Sequence, residues 1–211
     1  MDHFRTQYEM LYQSDEYYWG KEPADFLEKL IAVLPPVPGL KVLDIGCGEG
    51  KDAVYMAEKG YDVTAFDITG SGIRKTLRLA AERGVSIRAF TADINDFQLE
   101  EKFDIIYSTD TIQYLADENI PGFFRKVRDL TRPGGLNYFN VFVEKPFLSL
   151  PPDWDREEKM WKTAALFSFY ADWRIRLIDE IIFEDKSGGI PHFHCMDTIL
   201  AEKPSGSSIS A

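Results

Sequence analysis

Apolar residues form short continuous runs that alternate with helically spaced positions over the first two thirds of the chain. The runs predict strands at 41–45, 61–66, 85–91, 103–107 and 136–142. Spacings of three and four predict helices at about 23–34, 52–59, 71–83 and 123–130, the last stopped by Pro133-Gly134-Gly135. Strands that are apolar throughout and alternate with helices are typical of a parallel sheet covered on both faces. We therefore expect a Rossmann-like, doubly wound α/β fold that binds its ligand at the carboxyl edge of the strands.

The last third of the chain departs from this alternation. Residues 144–160 contain Pro146, Pro151 and Pro152, which predict a loop or lid insertion. Residues 161–170 have a helical pattern, whereas 174–183 and 193–202 read as strands joined by a turn at Gly188-Gly189. We expect these two strands to form an antiparallel hairpin that closes a mostly parallel, seven-stranded sheet.

The whole pattern fits a single domain over residues 1–203. Residues 1–22 precede the first predicted helix and are expected to form an N-terminal lid segment. Residues 204–211 are rich in Ser and Gly, which predicts a flexible tail.

Net charge and cysteine content indicate which binding partners and which cellular compartment to expect. The 211-residue chain has a formal net charge of -11, which repels phosphate backbones and anionic lipid, so we expect neither a nucleic-acid nor a membrane partner. Cys47 and Cys195 fit free thiols in a reducing compartment, and the N-terminus has no signal-peptide pattern. The sequence thus predicts a cytoplasmic protein, either a monomer or a homodimer.

A glycine-rich turn follows the first predicted strand. Gly46, Gly48 and Gly50 stand at alternate positions, where glycine permits a sharp turn and close approach of a ligand. A dinucleotide fingerprint requires its third glycine one residue later, where Lys51 stands. The pattern therefore favours a different nucleoside ligand, with a nicotinamide-dependent oxidoreductase as an alternative.

Acidic residues follow the next two strands. Asp67 ends the second strand, where a carboxylate can accept hydrogen bonds from both hydroxyls of a ribose. Asp93 follows the third strand and could accept from an adenine amino group, while Ile94 packs on the ring. All of these residues map to the same edge of the sheet, which favours an adenosine-containing ligand.

Together these motifs resemble class I S-adenosylmethionine-dependent methyltransferases, over about residues 15–143. The resemblance is closest to the small-molecule group that includes tellurite-resistance and thiopurine methyltransferases. It implies S-adenosyl-L-methionine as the cofactor, with the glycine loop around the methionine part and the end of the fourth strand beside the methyl group. The cofactor-binding residues that it implies are Trp19, Asp44, Gly46, Cys47, Gly48, Gly50, Asp67, Ile68, Asp93, Ile94, Ser108 and Thr109.

The acceptor is expected to be a small molecule such as a thiol or a chalcogen oxyanion. Such soft nucleophiles need no general base, whereas an alcohol or a protonated amine would. Catalytic residues are therefore not assigned, and Asp110 and Gln113, which follow the fourth strand, are candidates or helix-start caps. A non-catalytic, regulatory S-adenosylmethionine-binding module and a methyltransferase for a protein or natural-product acceptor are the alternatives.

The His192-Phe193-His194 segment places two imidazoles on one face of a predicted strand. They could bind an acidic acceptor, serve as a base, or be polar residues of an edge strand. No cysteine or acidic residue stands at ligand spacing from them, so the sequence predicts no metal site.

Overall fold

The computed structural model describes residues 2–152, 154, 158–186 and 189–206. Its α-helices are α1 (Asp2–Leu11), α2 (Phe26–Val33), α3 (Lys51–Glu58), α4 (Gly70–Glu82) and α5 (Ile120–Leu130). Its strands are β1 (Lys41–Ile45), β2 (Asp62–Asp67), β3 (Arg88–Thr91), β4 (Phe103–Ser108), β5 (Thr131–Phe142), β6 (Arg174–Asp185) and β7 (His192–Glu202). Short 3-10 helices cover Ile112–Tyr114, Asp117–Asn119 and Leu166–Tyr170.

The described strands form one sheet in the order β3-β2-β1-β4-β5-β7-β6. The first five strands are parallel, and β7 pairs antiparallel with both β5 and β6. The predicted fold class is confirmed: a mostly parallel seven-stranded sheet with an antiparallel closing hairpin.

Alternation along the strands builds an apolar layer on each face of the sheet. In β1, Val42 packs with α2 and α3, whereas Leu43 and Ile45 pack with α5. Asp44 shares the face of Val42 and ends up buried at the carboxyl end of the strand. Within the described chain, no helix combines the length and the apolar character needed to span a bilayer.

Several elements differ from the sequence prediction because long-range pairing decides them. Strand β5 begins at Thr131 rather than at 136, because Thr131 pairs with Phe103 of β4 and the Gly134 N–H donates to the Lys203 carbonyl. The predicted helix at 161–170 is wrong, because the Trp161 N–H donates to the Phe142 carbonyl and only the end of the segment forms a 3-10 turn. Helix α1 was not predicted.

Residues of the two expected lids lie partly outside the described chain. Of the 144–160 insertion, residues 153 and 155–157 are not described, nor are Ser187 and Gly188 of the hairpin turn or residues 207–211 of the tail. The N-terminal segment packs on α4: the Ser71 N–H at the start of that helix donates to the Glu9 carboxylate at 3.1 Å. Tyr17 donates from its hydroxyl to the Lys75 carbonyl at 3.0 Å.

Candidate active site

A cavity of about 450 Å³ opens at the carboxyl ends of the parallel strands. Its walls come from the loop after β1, the ends of β2 and β4, the closing strands and the N-terminal segment. Of the residues predicted to hold a cofactor, those that line it are Trp19, Asp44, Gly46, Cys47, Gly48, Asp67, Ile68, Ile94 and Thr109. Most of the residues that the sequence predicts to hold a cofactor therefore lie in the wall of this cavity.

Asp67 fixes the glycine loop to the end of β2. The Gly48 N–H donates to its Oδ2 at 3.0 Å, and the N–H and hydroxyl of Thr69 donate to its Oδ1 at 2.9 and 2.6 Å. Burial raises the pKa of this carboxyl, and these hydrogen bonds oppose the shift. Asp67 thus lines the cavity with its orientation already fixed, as a ligand-binding carboxylate requires.

At two positions of the glycine loop, close packing against neighbouring side chains leaves no room for a Cβ atom. A Cβ on Gly46 would lie 2.2 Å from Oγ1 of Thr111. A Cβ on Gly50 would lie 2.6 Å from Oγ1 of Thr76, and its φ of +88° is in the left-handed region. Gly50 is not among the cavity-lining residues, so its role in this structure is to bring α3 close to α4.

Asp44 is buried at the end of β1 beside a second acid. The Tyr107 hydroxyl donates to its Oδ2 at 2.8 Å. Burial and the neighbouring charge of Asp52 raise the pKa of Asp44 well above its ordinary value. Asp52 itself accepts from the Ala24 N–H at 2.8 Å, which attaches the N-terminal segment to α3.

A buried ion pair between Glu49 and Lys75 was missed by sequence reasoning. Lys75 Nζ lies 2.6 Å from Glu49 Oε1, and the two side chains are 7% and 1% exposed. The other oxygen of Glu49 accepts from the Trp19 N–H at 3.0 Å. A signal was available, because Lys75 falls with Gly72, Thr76 and Leu79 on the buried face of α4.

Aromatic side chains of the N-terminal segment cover the cavity. The Trp19 Nε1–H donates to the Tyr12 hydroxyl at 2.8 Å, and the hydroxyls of Tyr8 and Tyr114 are 2.7 Å apart. Burial raises the pKa of Tyr8 to about 12, and it raises those of Tyr12 and Tyr114 further. These phenols are therefore neutral at physiological pH, and all three residues line the cavity.

Asp110 lines the cavity beyond β4 in a constrained backbone conformation. Its φ of 51° is unusual for a residue other than glycine. Its N–H donates to Asn140 Oδ1 at 2.8 Å, and Gln113 Nε2 donates to its carbonyl at 2.9 Å. Partial desolvation by the cavity walls raises the pKa of Asp110 to about 6, and Lys51 and Asn140 oppose the shift; the residue is exposed to solvent. Gln113 is buried away from the cavity and positions Asp110.

Some predicted residues lie outside the cavity lining. Asp93 Oδ1 accepts a hydrogen bond from the Asn95 N–H at 2.8 Å, whereas the neighbouring Ile94 does line the cavity. Ser108 is fully buried and donates to the Ile45 carbonyl at 2.7 Å.

Burial raises the pKa of the Cys47 thiol, which makes this cavity-lining side chain a poor nucleophile.

The two histidines are buried inside the sheet rather than on its edge. Strand β7 lies between β5 and β6, so the edge-strand interpretation is wrong. His192 Nε2 and His194 Nε2 are 2.9 Å apart, and Asp185 Oδ2 lies 3.6 Å from the latter. The pairing of β6 with β7 brings in Asp185, an acid that the spacing within 192–194 could not reveal.

The sheet order, the closing hairpin and a glycine loop facing a carboxylate at the end of β2 define the class as S-adenosylmethionine-dependent methyltransferases. Residues 7–183 match the family model described as tellurite resistance protein TehB, and the chain belongs to that family. The cofactor of this class is S-adenosyl-L-methionine.

The chain is also similar to individual proteins, two of them TehB proteins and one a hemagglutinin. The crystal structure of TehB from Haemophilus influenzae superposes with a TM-score of 0.78 at 24% identity, covering 88% of this chain and 64% of that chain. A probable S-adenosyl-L-methionine-dependent methyltransferase TehB from the same species is 33% identical over 97 residues, which are 46% of this chain and 34% of the relative. Hemagglutinin 1 from Eikenella corrodens is 28% identical over 96% of this chain and 68% of its own length. The chain thus spans only about a third to two thirds of these proteins.

Proposed function

We propose that this chain transfers the methyl group of S-adenosylmethionine to a small-molecule acceptor, a thiol, a chalcogen oxyanion or a similar nucleophile, in the cytoplasm. The observation that carries the proposal is the cavity itself, which is acidic, lined by aromatic rings and covered by the N-terminal segment. The free thiols of Cys47 and Cys195 support a reducing compartment.

The charges of the cavity suit this cofactor. Its lining residues include five acids, Asp44, Glu49, Asp52, Asp67 and Asp110, against one lysine, Lys51, and Glu49 is paired with Lys75. A sulfonium and an ammonium group outweigh the single carboxylate of the cofactor, so an acidic wall attracts it. Aromatic faces attract a sulfonium as well.

The lining residues also suggest how the cofactor is oriented. We assign the glycine loop with Cys47 to the methionine part and Asp67 to the ribose hydroxyls, because both lie at the ends of adjacent strands. Ile94 packs on the adenine in this assignment, with Asp93 beside it at the amino group. Because Asp93 Oδ1 already accepts a hydrogen bond from the Asn95 N–H, the adenine amino group would have to donate to a remaining lone pair of this carboxylate.

The acceptor is assigned to the opposite end of the cavity. The lining residues there are Asp110, Thr111, Tyr114, Tyr138, Asn140, Ile181, Met196 and Thr198. The cover over the cavity favours a small molecule over a folded protein. When bound, S-adenosylmethionine supplies a methyl carbon whose bond to sulfur breaks as the acceptor lone pair attacks, leaving the electron pair on sulfur.

Asp110 is the best placed residue to accept a proton from an acceptor that still carries one. Its carboxylate lines the cavity, whereas His192, His194 and Gln113 do not. Because its pKa is about 6, it is ionised at neutral pH yet retains some basicity. A thiolate or an oxyanion would use Asp110 only to position the acceptor.

Two measurements test the proposal. Calorimetry should show one S-adenosylmethionine bound per chain, and a labelled methyl group should then move to a member of a panel of thiols, selenite, tellurite and phenols. For an acceptor that must lose a proton, kcat/KM should rise with pH through about 6, because Asp110 is active when ionised. Asp110→Asn should remove this rise of kcat/KM with pH. Asp96→Asn, at an exposed acid outside the cavity, should retain it.

The outcomes separate the alternatives. Binding without turnover of any panel member would favour a regulatory module, and transfer to a protein or natural product alone would replace the small-molecule proposal. An unchanged pH profile in Asp110→Asn would remove this residue from the proton transfer. Failure to bind S-adenosylmethionine would overturn the proposed function altogether.

A further inference from the structure

Asp185, His192 and His194 form a cluster of potential metal ligands on the closing hairpin. One ligand atom from each lies within 4.8 Å of those of the other two. Both histidines are buried, at 9% and 4% exposed. The Asp185 side chain is 38% exposed, so the cluster is reached from solvent on the side of β6.

The spacing of these atoms matches the edges of a coordination polyhedron. Donor atoms about 2.0–2.1 Å from a tetrahedral zinc ion lie roughly 3.3 Å apart. The two Nε2 atoms are 2.9 Å apart, and His194 Nε2 lies 3.6 Å from Asp185 Oδ2. Both separations can reach this value through small side-chain movements.

The tautomer of His192 supports ligation through Nε2. Its Nδ1 lies 2.6 Å from the Ile190 carbonyl, which can only accept a hydrogen bond. The proton of a neutral His192 is therefore on Nδ1, and Nε2 directs a lone pair toward the cluster. A backbone carbonyl on the far nitrogen is a frequent partner of metal-binding histidines.

The neighbouring elements hold the ligands rigidly. Residues 192 and 185 are paired in the β6–β7 ladder, and His194 is paired with Phe183. The rings of Phe142, Phe183 and Trp154 pack around His194 at centroid distances of 5.0, 5.7 and 6.0 Å. Ligands on paired strands with packed rings are preorganised, which favours binding.

We propose that Asp185, His192 and His194 bind one divalent transition-metal ion, with zinc as the reference ion. Two imidazoles and one carboxylate suit Zn²⁺, Co²⁺ and related ions and leave a position for water or another ligand. The site is independent of the proposed methyl transfer. It lies two residues from Met196, which lines the cavity, and so beside the acceptor end.

The test uses the full chain without an affinity tag, freed of metal by a chelator and titrated with ZnCl₂ by calorimetry. We expect one ion per chain, and visible absorption of a nitrogen- and oxygen-ligated ion when CoCl₂ replaces zinc. Loss of an outer partner of a ligand already costs about 10–100-fold in affinity, so His194→Gln should weaken binding by about 100-fold or more. Asp185→Asn should weaken it by at least about tenfold.

Matched controls isolate the cluster. Glu184→Gln neutralises the adjacent exposed acid, which points to the opposite face of β6, and His3→Gln removes the remaining histidine of the sequence. Both should bind zinc as the native chain does. Asp185→Asn keeps its shape at a partly exposed position and should fold, as circular dichroism can verify. The absence of saturable uptake, or native affinity in Asp185→Asn and His194→Gln, would overturn the metal site and leave a hydrogen bond between the histidines.

Discussion

Replacing Lys75 by methionine should destabilise the protein strongly. Methionine is close to lysine in length, so the change removes the charge and leaves the volume almost intact. Glu49, only 1% exposed, would then be a buried carboxylate without its cation. Breaking a buried pair in this way costs about 3–5 kcal/mol. For a chain of this size, we expect the melting midpoint to fall by about 6–20 °C.

A double-mutant cycle identifies the cause. Glu49→Gln in the Lys75→Met background removes the orphaned charge and retains an acceptor for the Trp19 N–H. We therefore expect the double variant to recover about 2 kcal/mol or more of the loss in urea denaturation followed by circular dichroism. In Lys75→Met alone, a Glu49 side chain displaced toward solvent would lose the Trp19 N–H, which should loosen the Trp19 segment and weaken cofactor binding.

An exposed pair that also joins α4 to a preceding segment provides the control. Lys21 Nζ lies 2.7 Å from Glu82, almost the same separation as in the buried pair, but both side chains are 40% or more exposed. Solvent screens such a pair, so Lys21→Met should leave stability nearly unchanged. If Lys75→Met costs no more than Lys21→Met, burial does not govern the energetics of this pair and the reasoning is refuted.

Two further predictions concern the glycine loop and its carboxylate. Gly50→Ala should lower the free energy of unfolding by about 2–4 kcal/mol, because strain at positive φ adds to a collision with Thr76. Gly60→Ala, also at positive φ but with open space around its Cβ, should lower it by only about 1 kcal/mol. Equal losses in the two variants would refute the packing argument. Asp67→Ala should weaken S-adenosylmethionine binding by about 1–3 kcal/mol in calorimetry. The same change at Asp62, on the exposed start of β2, should not affect binding, and native affinity in Asp67→Ala would remove that residue from the site.

The parts of the fold that the sequence predicts are those that local composition determines. A strand covered on both faces is largely apolar, as in β4 apart from Asp104 and Ser108, and the pattern reveals it without knowledge of its neighbours. The first residues of β5 depend instead on the pairing of Thr131 with Phe103 and on hydrogen bonds of Gly134 and Gly135 with Lys203. Trp161 likewise pairs with the end of β5, which no local helical pattern can anticipate.

The candidate site divides in the same way. Asp67 and the glycine loop are predictable because parallel topology brings the carboxyl ends of strands to one edge. The contacts between Asn140 and Asp110 and between Asp185 and His194 join separate segments, so the sequence offers the residues but not their pairing. Lys75 differs, because a charged residue on the buried face of an amphipathic helix already predicts a buried partner.

The acidity of the cavity connects the cofactor to the choice of acceptor. In the proposed function, the carboxylates that attract a cationic cofactor would repel an anionic acceptor. Burial favours the neutral form of Asp44 and Asp67, and Lys75 balances Glu49, so the exposed Asp110 contributes most to this repulsion. An oxyanion would therefore enter favourably only after the cofactor had offset part of this charge. A neutral thiol meets no such barrier, and Asp110 could accept its proton within the covered cavity. Methyl transfer removes the positive charge of the sulfonium, so the cavity holds the spent cofactor less strongly than the donor, which favours its release.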